Sequence, residues 1–567
     1  MRDSWFRTMA VLAVVALNAC GGGTESTGND VDSVAADRLS FGASAQQKHD
    51  EKGWPLAGFD LAATGYNPFE SRLSPSNINK LDVEWVFDSS VAGVPVAPIH
   101  ASPVIDRHGN AYVGDFAGTF FAISAKGKLL WSFSADAPTP QVAALLSPNP
   151  PKSSPFLGGG AIASNRPYLV VGDANGRIYA RNINTGKEIW TARGVDANPL
   201  GGVAGNSITI VGDTVLVGLG SLENYALVLS AGGVRVDCCQ HRGGVVALDL
   251  RTGTERWRYN AVDAASPLPP SASPFVLGPS GADVWSQPTY DAESNTVYIS
   301  TGQNLSPTAD GHSTPTSDAI IALDFRTGAP KWIHQFTADD VWAVGTPNPN
   351  PVTGQKLDMD MGDAPKIYRL RNGRKVVGAG QKDGRFHVVD AKTGALVRTR
   401  EVIAPRNDLG GFQTGGAFAY DTVFQHGMHA TDGFSQCKEG MCPYQGFEGR
   451  VVAISSDASR VRWSLSIPVS PLVGGLAVAN HLVFFQSPVE EAVPLTDAPL
   501  WALYAVDADS GAVRKRITFP GRAIGSPVVA DGHVYVTNGN AALAAYGSAP
   551  KGALIRLGVD DDHHGYR

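Results

Sequence analysis

A short pattern returns eight times along the chain, at intervals of about fifty to seventy residues. A hydrophobic couplet meets an acidic or polar residue, a Gly-containing turn follows, and then a Trp or its stand-in. The clearest copies are Val246-Ala247-Leu248-Asp249 with Thr252-Gly253 and Trp257, and Ile321-Ala322-Leu323-Asp324 with Thr327-Gly328 and Trp332. A repeat of that length constrains the architecture before any single residue is interpreted. The Trp slot is filled by Trp85, Trp131, Trp190, Trp257, Trp332 and Trp463, and by Arg398 and Lys515 in two degenerate copies. In turns such as Lys126-Gly127, Thr185-Gly186 and Ser510-Gly511, Gly supplies positive φ and the polar neighbour caps the turn.

Upstream of the turns lie short alternating runs such as Ala111-Tyr112-Val113-Gly114, Thr296-Val297-Tyr298-Ile299 and His533-Val534-Tyr535-Val536. Strict alternation over four to eight residues reads as half-buried strand. Strands this dense, with Gly and Pro between them, predict an all-β fold. Four-stranded antiparallel repeats arranged radially are propeller blades. Eight outer strands predict an eight-bladed β-propeller, rather than an open solenoid or two stacked sandwiches. The first outer strand, Leu81 to Phe87, has no blade before it, and the last three strands, near Pro527 to Tyr546, have no Trp strand after them. Pairing the two ends closes the ring and leaves no sheet edge. The ring is then one domain, residues 51–550, followed by a tail at 551–567.

Charged residues make up 17% of the chain, the net charge is −7 and no basic run occurs, which argues against nucleic-acid binding. The first twenty residues read as a signal peptide: Arg2 and Arg7 flank an apolar run, Met9 to Leu17, too short to span a bilayer. Leu17-Asn18-Ala19-Cys20 resembles a bacterial lipoprotein box, with Cys20 lipidated after cleavage; ordinary secretion is the alternative. Residues 21–50 read as a flexible tether. Export to the periplasm, anchored at the outer membrane only through Cys20, permits disulfides. Four further cysteines form two pairs, Cys238-Cys239 and Cys437/Cys442. The second pair suits a loop-stapling disulfide, or a zinc site with His426 and His429. No Cys-x-x-Cys-His occurs, so the chain carries no c-type haem motif.

Three segments depart from what a plain propeller needs. They are Cys238-Cys239-Gln240-His241-Arg242-Gly243, Gly278-Pro279-Ser280-Gly281-Ala282-Asp283-Val284-Trp285, and Val297 to Asn304. With the leading stretch Trp54 to Trp85 they resemble the quinoprotein alcohol dehydrogenase superfamily, most of all its polyvinyl alcohol dehydrogenase branch. The likeness covers roughly residues 50 to 550. It implies an eight-bladed propeller that binds pyrroloquinoline quinone (PQQ), a flat ortho-quinone with three carboxylates, beside a calcium-type or lanthanide ion.

By that resemblance Trp285 is the floor under the quinone, and an indole supplies a large stacking face. Cys238-Cys239 matches the family's adjacent pair; across a trans peptide their Cα atoms would lie about 3.8 Å apart, below the usual disulfide range. Glu223 matches the calcium-ligating Glu, since a hard cation wants carboxylate oxygen. At the position of the family's Asn ligand stands Gln303, with Asn304 beside it. Lys382 matches the cation at the quinone oxygens, and Arg242 has the planar fork that suits the cofactor carboxylates. The usual base, the Asp of a Trp-Asp pair, is replaced: Asp340-Val341-Trp342 is followed by Ala343. Leu357-Asp358-Met359-Asp360-Met361-Gly362 resembles instead the Asp-Phe-Asp-Phe-Gly segment of the polyvinyl alcohol dehydrogenase branch, entering the next inner strand. Strand alternation puts both acids on one face, with Asp358 as base and Asp360 as auxiliary metal ligand, roles that can exchange.

The resulting expectation is an enzyme that oxidises an alcohol, polymeric or bulky and secondary by the closest branch, to a carbonyl. Electrons would pass to a separate soluble c-type cytochrome. The competing expectation is a non-catalytic, lipid-anchored propeller scaffold in outer-membrane protein assembly, which the Ala343 replacement favours. Long loops at Ala261 to Asp283 and Asp339 to Asp358 favour the enzyme, because long loops over a rigid ring carry function.

Overall fold

The recurring Asp explains the recurring turn. Asp249 Oδ1 accepts hydrogen bonds from the backbone N–H of Arg251 and Thr252, at 2.9 and 3.2 Å. Asp324 and Asp390 repeat the arrangement with Arg326 and Thr327, and with Lys392 and Thr393. Each carboxylate thereby caps a tight hairpin between the third and fourth strands of a sheet. A computed structural model describes residues 52–559 except 146–149, 195–197, 199, 204–206, 235, 348, 356–357, 404–410, 431–446, 469–473, 490–499, 521–522, 524 and 540–550. It is an eight-bladed β-propeller.

Blade 1 runs from Val104–Ile105 at the hub through Ala111–Gly114 and Thr119–Ile123 to Leu129–Ser134 at the rim. Blade 4 is Thr289–Asp291, Thr296–Ser300, Ala319–Asp324 and Pro330–Gln335. Blade 5 is Lys366–Arg369, Lys375–Gly380, Arg385–Asp390 and Leu396–Glu401. The other blades follow the same antiparallel order. Outer strands alternate in burial, as in Leu129–Ser134, whereas second strands such as Ala111–Gly114 are buried throughout. That contrast follows from packing each blade between two neighbours.

The ring closes between the two ends of the propeller. Asp82–Phe87 is the outer strand of blade 8 and pairs antiparallel with Ala553–Gly558. The third strand of this blade therefore lies beyond Tyr546, within the stretch that sequence alone assigns to a tail. Ala553 to Leu557 is buried except for Arg556, which turns out to meet Glu84. The apolar run and its single polar position are what a paired strand requires. Residues 1–51, with the signal, the tether and Cys20, lie outside the described residues, as do Cys437 and Cys442.

Adjacent blades are joined by the Trp slot. Each indole of the outer strand lies on the turn glycine of the next blade, and its Nε1–H donates to a carbonyl there. Trp131 donates to Ile183 O at 3.0 Å and Trp190 to Leu250 O at 2.8 Å. The degenerate copies keep the donor: Arg398 Nε reaches Asp457 O at 3.1 Å, and Lys515 Nζ reaches Asn79 O at 2.8 Å. The slot thus selects for an N–H donor at the end of a bulky side chain.

The hub is fastened by residues 54–67, a segment with no regular structure before the short strand Tyr66–Asn67. Its backbone bonds to one innermost strand after another: Trp54 with Ile105, Pro55 with Ile162, Leu61 with Tyr290, Ala62 with Ile367, Thr64 with Phe418, and Gly65 with Val478. Tyr66–Asn67 then pairs parallel with Val478–Ala479, and Asn67 Nδ2 donates to Val529 O at 2.9 Å. Blade 3 meets the segment through Leu56 and Leu61, which pack with Ile208 and Ile210. One strap thus touches all eight blades.

The blade joint is testable at Gly253. Its φ is +72°, and a Cβ there would stand 2.6 Å from Trp190 Cε3. Gly212 has φ +57° with nothing within 4 Å of a Cβ. Both Ala substitutions carry about 1 kcal/mol of left-handed strain, and Gly253→Ala adds about 1–3 kcal/mol of overpacking. Thermal unfolding midpoints should therefore fall further for Gly253→Ala than for Gly212→Ala; equal falls would contradict the joint.

Candidate active site at the hub

Four elements bring the site together. The turn Glu223–Tyr225 follows the second strand of blade 3, Thr214–Ser221. Residues 238–243 lead back into that blade's third strand, Gly244–Asp249. Residues 278–285 lead into blade 4, and residues 358–365 into blade 5. Ser221 N and Oγ donate to Asp283 Oδ2 at 2.8 and 3.1 Å, which ties the first element to the third. Arg242 forms a parallel bridge with Gly281, tying the second to the third. Gly302 N donates to Asp283 O at 3.0 Å, and Met361 N to Thr301 O at 3.3 Å, bringing in the fourth.

Trp285 is half-buried, unlike the fully enclosed Trp54, and stacks on no other ring among the described residues. Its six-membered ring edges Gly302, where a Cβ would lie 2.6 Å from Cζ3 and would also strike Asp360. Indole and acid therefore meet across a glycine that leaves the space open. Two residues on, Gln287 Nε2 donates to Asp60 O and its Oε1 accepts from Gly58 N, both at 2.7 Å. The strap consequently backs the segment that carries the indole.

Cys238 and Cys239 are buried with their sulfurs at bonding distance. Their peptide bond is cis, with the Cα atoms 3.0 Å apart, rather than the trans peptide and wider spacing expected. They pack in an apolar cluster with Leu200, Tyr225, Phe275, Val341 and Ala343. Ala343, at the position where the resemblance leads one to expect a base, is part of that greasy wall and fully buried.

Glu223 is fully buried beside the pair. Its carboxylate accepts from Asn198 Nδ2 at 2.9 Å, from Gln240 N at 3.0 and 2.9 Å, and from His241 N at 2.7 Å. Burial raises its pKa, while His241 and these N–H donors oppose the rise. Gln303 N donates to Asp360 Oδ1 at 2.8 Å, and Gln303 Nε2 to Trp342 O at 3.2 Å. Asn304 is committed elsewhere: its Oδ1 accepts from Thr314 N and Oγ1, and its Nδ2 donates to Ser280 O. It faces the 304–314 loop and is not a free ligand.

Asp358 and Asp360 do share one direction, although their segment is not a strand and the inner strand begins only at Lys366. Both pair with Lys382, whose Nζ lies 2.8 Å from Asp358 Oδ1 and also contacts Asp360 Oδ2. Both aspartates are buried, and the Lys382 side chain is 12% exposed. Burial raises Asp358 to about 6; Lys382 draws it down and Asp360 pushes it up. Burial works against the Lys382 charge, but the two aspartates prevail and raise its pKa. Sequence reasoning missed three further acids. Asp318 and Asp340 are fully buried, and burial together with neighbouring aspartates raises both. Asp283 is raised to about 7, chiefly by burial, with Asp360 adding to it. The available signal was their position: Asp318 abuts the apolar strand Ala319–Asp324, and Asp340 abuts Val341-Trp342.

These residues fit a planar quinone. Trp285 is half-buried with no ring stacked on it among the described residues, and Arg242, bonded through Nε to Val262 O at 3.1 Å, forms no ion pair among the described residues. A hard cation fits by charge. Oxygens without a hydrogen-bond partner remain on Asp318, Asp340 and Asp358, whereas Asp283 Oδ1 faces His241 Nε2 at 3.4 Å; the Lys382 ammonium is paired directly to two of the acids of this region. Among the described residues no three acidic, His or Cys side chains converge on one point. His426, assigned to a zinc site as one option, is buried and neutral, its pKa lowered by burial to about 3.

Lys382→Met leaves two buried carboxylates unpaired, a loss of about 3–5 kcal/mol at pH 8. Removing the cation also raises Asp358 above about 6. Protonation near pH 5 then removes one of the unpaired charges, so the stability deficit should shrink there. Thermal unfolding of both proteins at pH 5 and 8 measures this; an equal deficit at both would contradict the pairing.

The chain is similar to known proteins over most of its length. The family model for the glucose/ethanol/alcohol dehydrogenase β-propeller domain, PQQ, matches residues 54–415. A second model, outer membrane protein assembly factor BamB, matches only residues 447–552, away from the hub residues above. A polyvinylalcohol dehydrogenase from Pseudomonas sp. is 27% identical over 502 residues, 86% of this chain and 73% of the relative. A quinohemoprotein alcohol dehydrogenase from Comamonas testosteroni is 28% identical over 398 residues, 64% of this chain and 48% of the relative. Among solved structures, the quinohemoprotein alcohol dehydrogenase ADHIIG from Pseudomonas putida HK5 superposes with a TM-score of 0.65 at 18% identity, covering 91% of this chain and 81% of that one. A europium-containing methanol dehydrogenase gives 0.64 at 16% identity, over 90% and 98%. The hub geometry and the family match together establish that this chain belongs to the PQQ-dependent alcohol dehydrogenase family of β-propeller oxidoreductases.

Proposed function

We propose that this protein oxidises an alcohol to a carbonyl at the hub, with PQQ stacked on Trp285 and Asp358 as the proton acceptor. The observation that carries this reading is the convergence of the half-buried Trp285 indole with the Asp358–Lys382–Asp360 group across Gly302. Bound there, the quinone supplies a hydride acceptor, and a calcium-type or lanthanide ion held by Glu223, Gln303 and Asp360 polarises it.

The protein's own residues do the rest. Asp358, at about 6, is ionised at neutral pH and basic enough to take a hydroxyl proton at Oδ2, which has no partner. Lys382 fixes the other oxygen of that carboxylate and remains protonated. Arg242 is positioned to meet a cofactor carboxylate through its free N–H groups. The apolar wall around Cys238, Cys239, Tyr225 and Ala343 excludes water and favours a bulky secondary or polymeric alcohol, in keeping with the polyvinylalcohol dehydrogenases among its relatives. A disulfide between Cys238 and Cys239 belongs to the same reading. The sequence contains no Cys-x-x-Cys-His, so a soluble c-type cytochrome would take the electrons. The Cys20 motif supports export and an outer-membrane lipid anchor.

The test is reconstitution of the mature chain with PQQ and calcium, followed by quinone absorbance and dye reduction across an alcohol panel. Stoichiometric quinone and alcohol-dependent reduction are expected. Asp358→Asn should lower kcat by about 10²–10⁴-fold with the quinone still bound. Undiminished turnover in that variant would remove Asp358 from the role, and absence of quinone binding by the unaltered protein would favour a scaffold.

A further inference from the structure

The segment that carries Asp358 and Asp360 belongs to no strand or helix, yet both carboxylates must reach one ammonium. Something other than a β-ladder has to hold it. Lys382 N and Gln303 N bond to Asp360 and Met361 N to Thr301 O, and the amide between the two acids supplies the attachment nearest Asp358: Met359 N donates to Asp340 Oδ2 at 2.6 Å. The accepting side chain is fully buried, so no water competes for this amide and losing the bond would leave it unpaired. Asp340 is itself fixed from the other side, because its carbonyl accepts from Asn304 N at 3.2 Å and Trp342 N donates to Asn304 O at 2.9 Å. Asn304 in turn is anchored by Thr314 and Ser280. A continuous chain of hydrogen bonds thus runs from the 304–314 loop through Asp340 to the peptide between Asp358 and Asp360.

We propose that Asp340 is a positioning residue for the reaction: its carboxylate hooks the Met359 amide and so aims Asp358 and Asp360 at Lys382. This rests on the dehydrogenase reading for what is being aimed, but the hook itself does not. Residues 340–343 thereby acquire a role despite Ala343. The stretch where the resemblance leads one to expect a base here bears the support of a base carried on another segment. Asp340 neither touches substrate nor exchanges a proton in this account. Its unpartnered Oδ1 is not needed for the role.

Two substitutions separate the hook from mere charge. Asp340→Asn keeps a carbonyl oxygen that can accept from Met359 N. Asp340→Ala removes the acceptor and leaves the amide buried and unpaired. In PQQ- and calcium-loaded protein, Asp340→Ala is expected to lose about 10- to 100-fold in kcat, the scale of a misplaced catalytic group, with KM for alcohol changed less than about threefold. Asp340→Asn should recover kcat to within about threefold of the unaltered protein. Loss in Asn equal to that in Ala, or no loss in either, overturns the proposal. Hydrogen exchange of the 358–362 peptide in cofactor-free protein supplies a readout independent of turnover and of the folding of the Ala variant. The Met359 amide should exchange slowly in both the unaltered protein and Asp340→Asn. Fast exchange in the unaltered protein overturns the hook even if the enzyme is active; slow exchange in an inactive protein upholds it and counts against the dehydrogenase reading alone.

Discussion

A single buried ammonium, on Lys382, is shared by two carboxylates, and two more fully buried acids act on the same pair. Like charges this close, and this far from water, repel strongly unless a cation lies among them. The arrangement is tolerable only where the backbone cannot relax. Asp318, Asp340, Asp358 and Asp360 therefore require a stiff surround, and a closed ring of blades provides one.

Stiffness comes from two sources with different chemistry. At the rim, indoles lie on turn glycines and donate to the neighbouring blade, and Arg398 and Lys515 perform the same donation without an indole. At the hub, the strap of residues 54–67 bonds to one innermost strand after another. Through Gln287 the strap also braces the chain two residues from Trp285. Ring closure and the site are thus mechanically coupled: the segment that locks the blades supports the surface on which a planar cofactor would rest.

Much of this was legible in the sequence because it is written in side chains. The Asp–Thr-Gly–Trp spacing marks each hairpin and each blade joint, so the blade number and the closure follow from it. Trp285, the Cys238-Cys239 unit, Glu223, Asp358 and Lys382 were recognisable from their segments, and they do share one region of the hub. The strap was not legible, since its work is done by backbone N–H and C=O groups that every residue possesses. The last strand was placed too early, because the apolar run near Tyr546 draws attention from the almost wholly buried run at 553–558. Asn304 was a reasonable ligand by type, but Thr314 and Ser280 take all of its polar atoms. Asp318 and Asp340 were overlooked because isolated acids beside apolar runs usually face solvent, and only the folded structure shows that both are fully buried.

The most direct test of the account is a crystal structure of the protein soaked with PQQ and calcium. One flat density stacked on Trp285, with Lys382 still bound to Asp358 and Asp360 beside it, is the expected result. Density lodged elsewhere, with Trp285 uncovered, would contradict it.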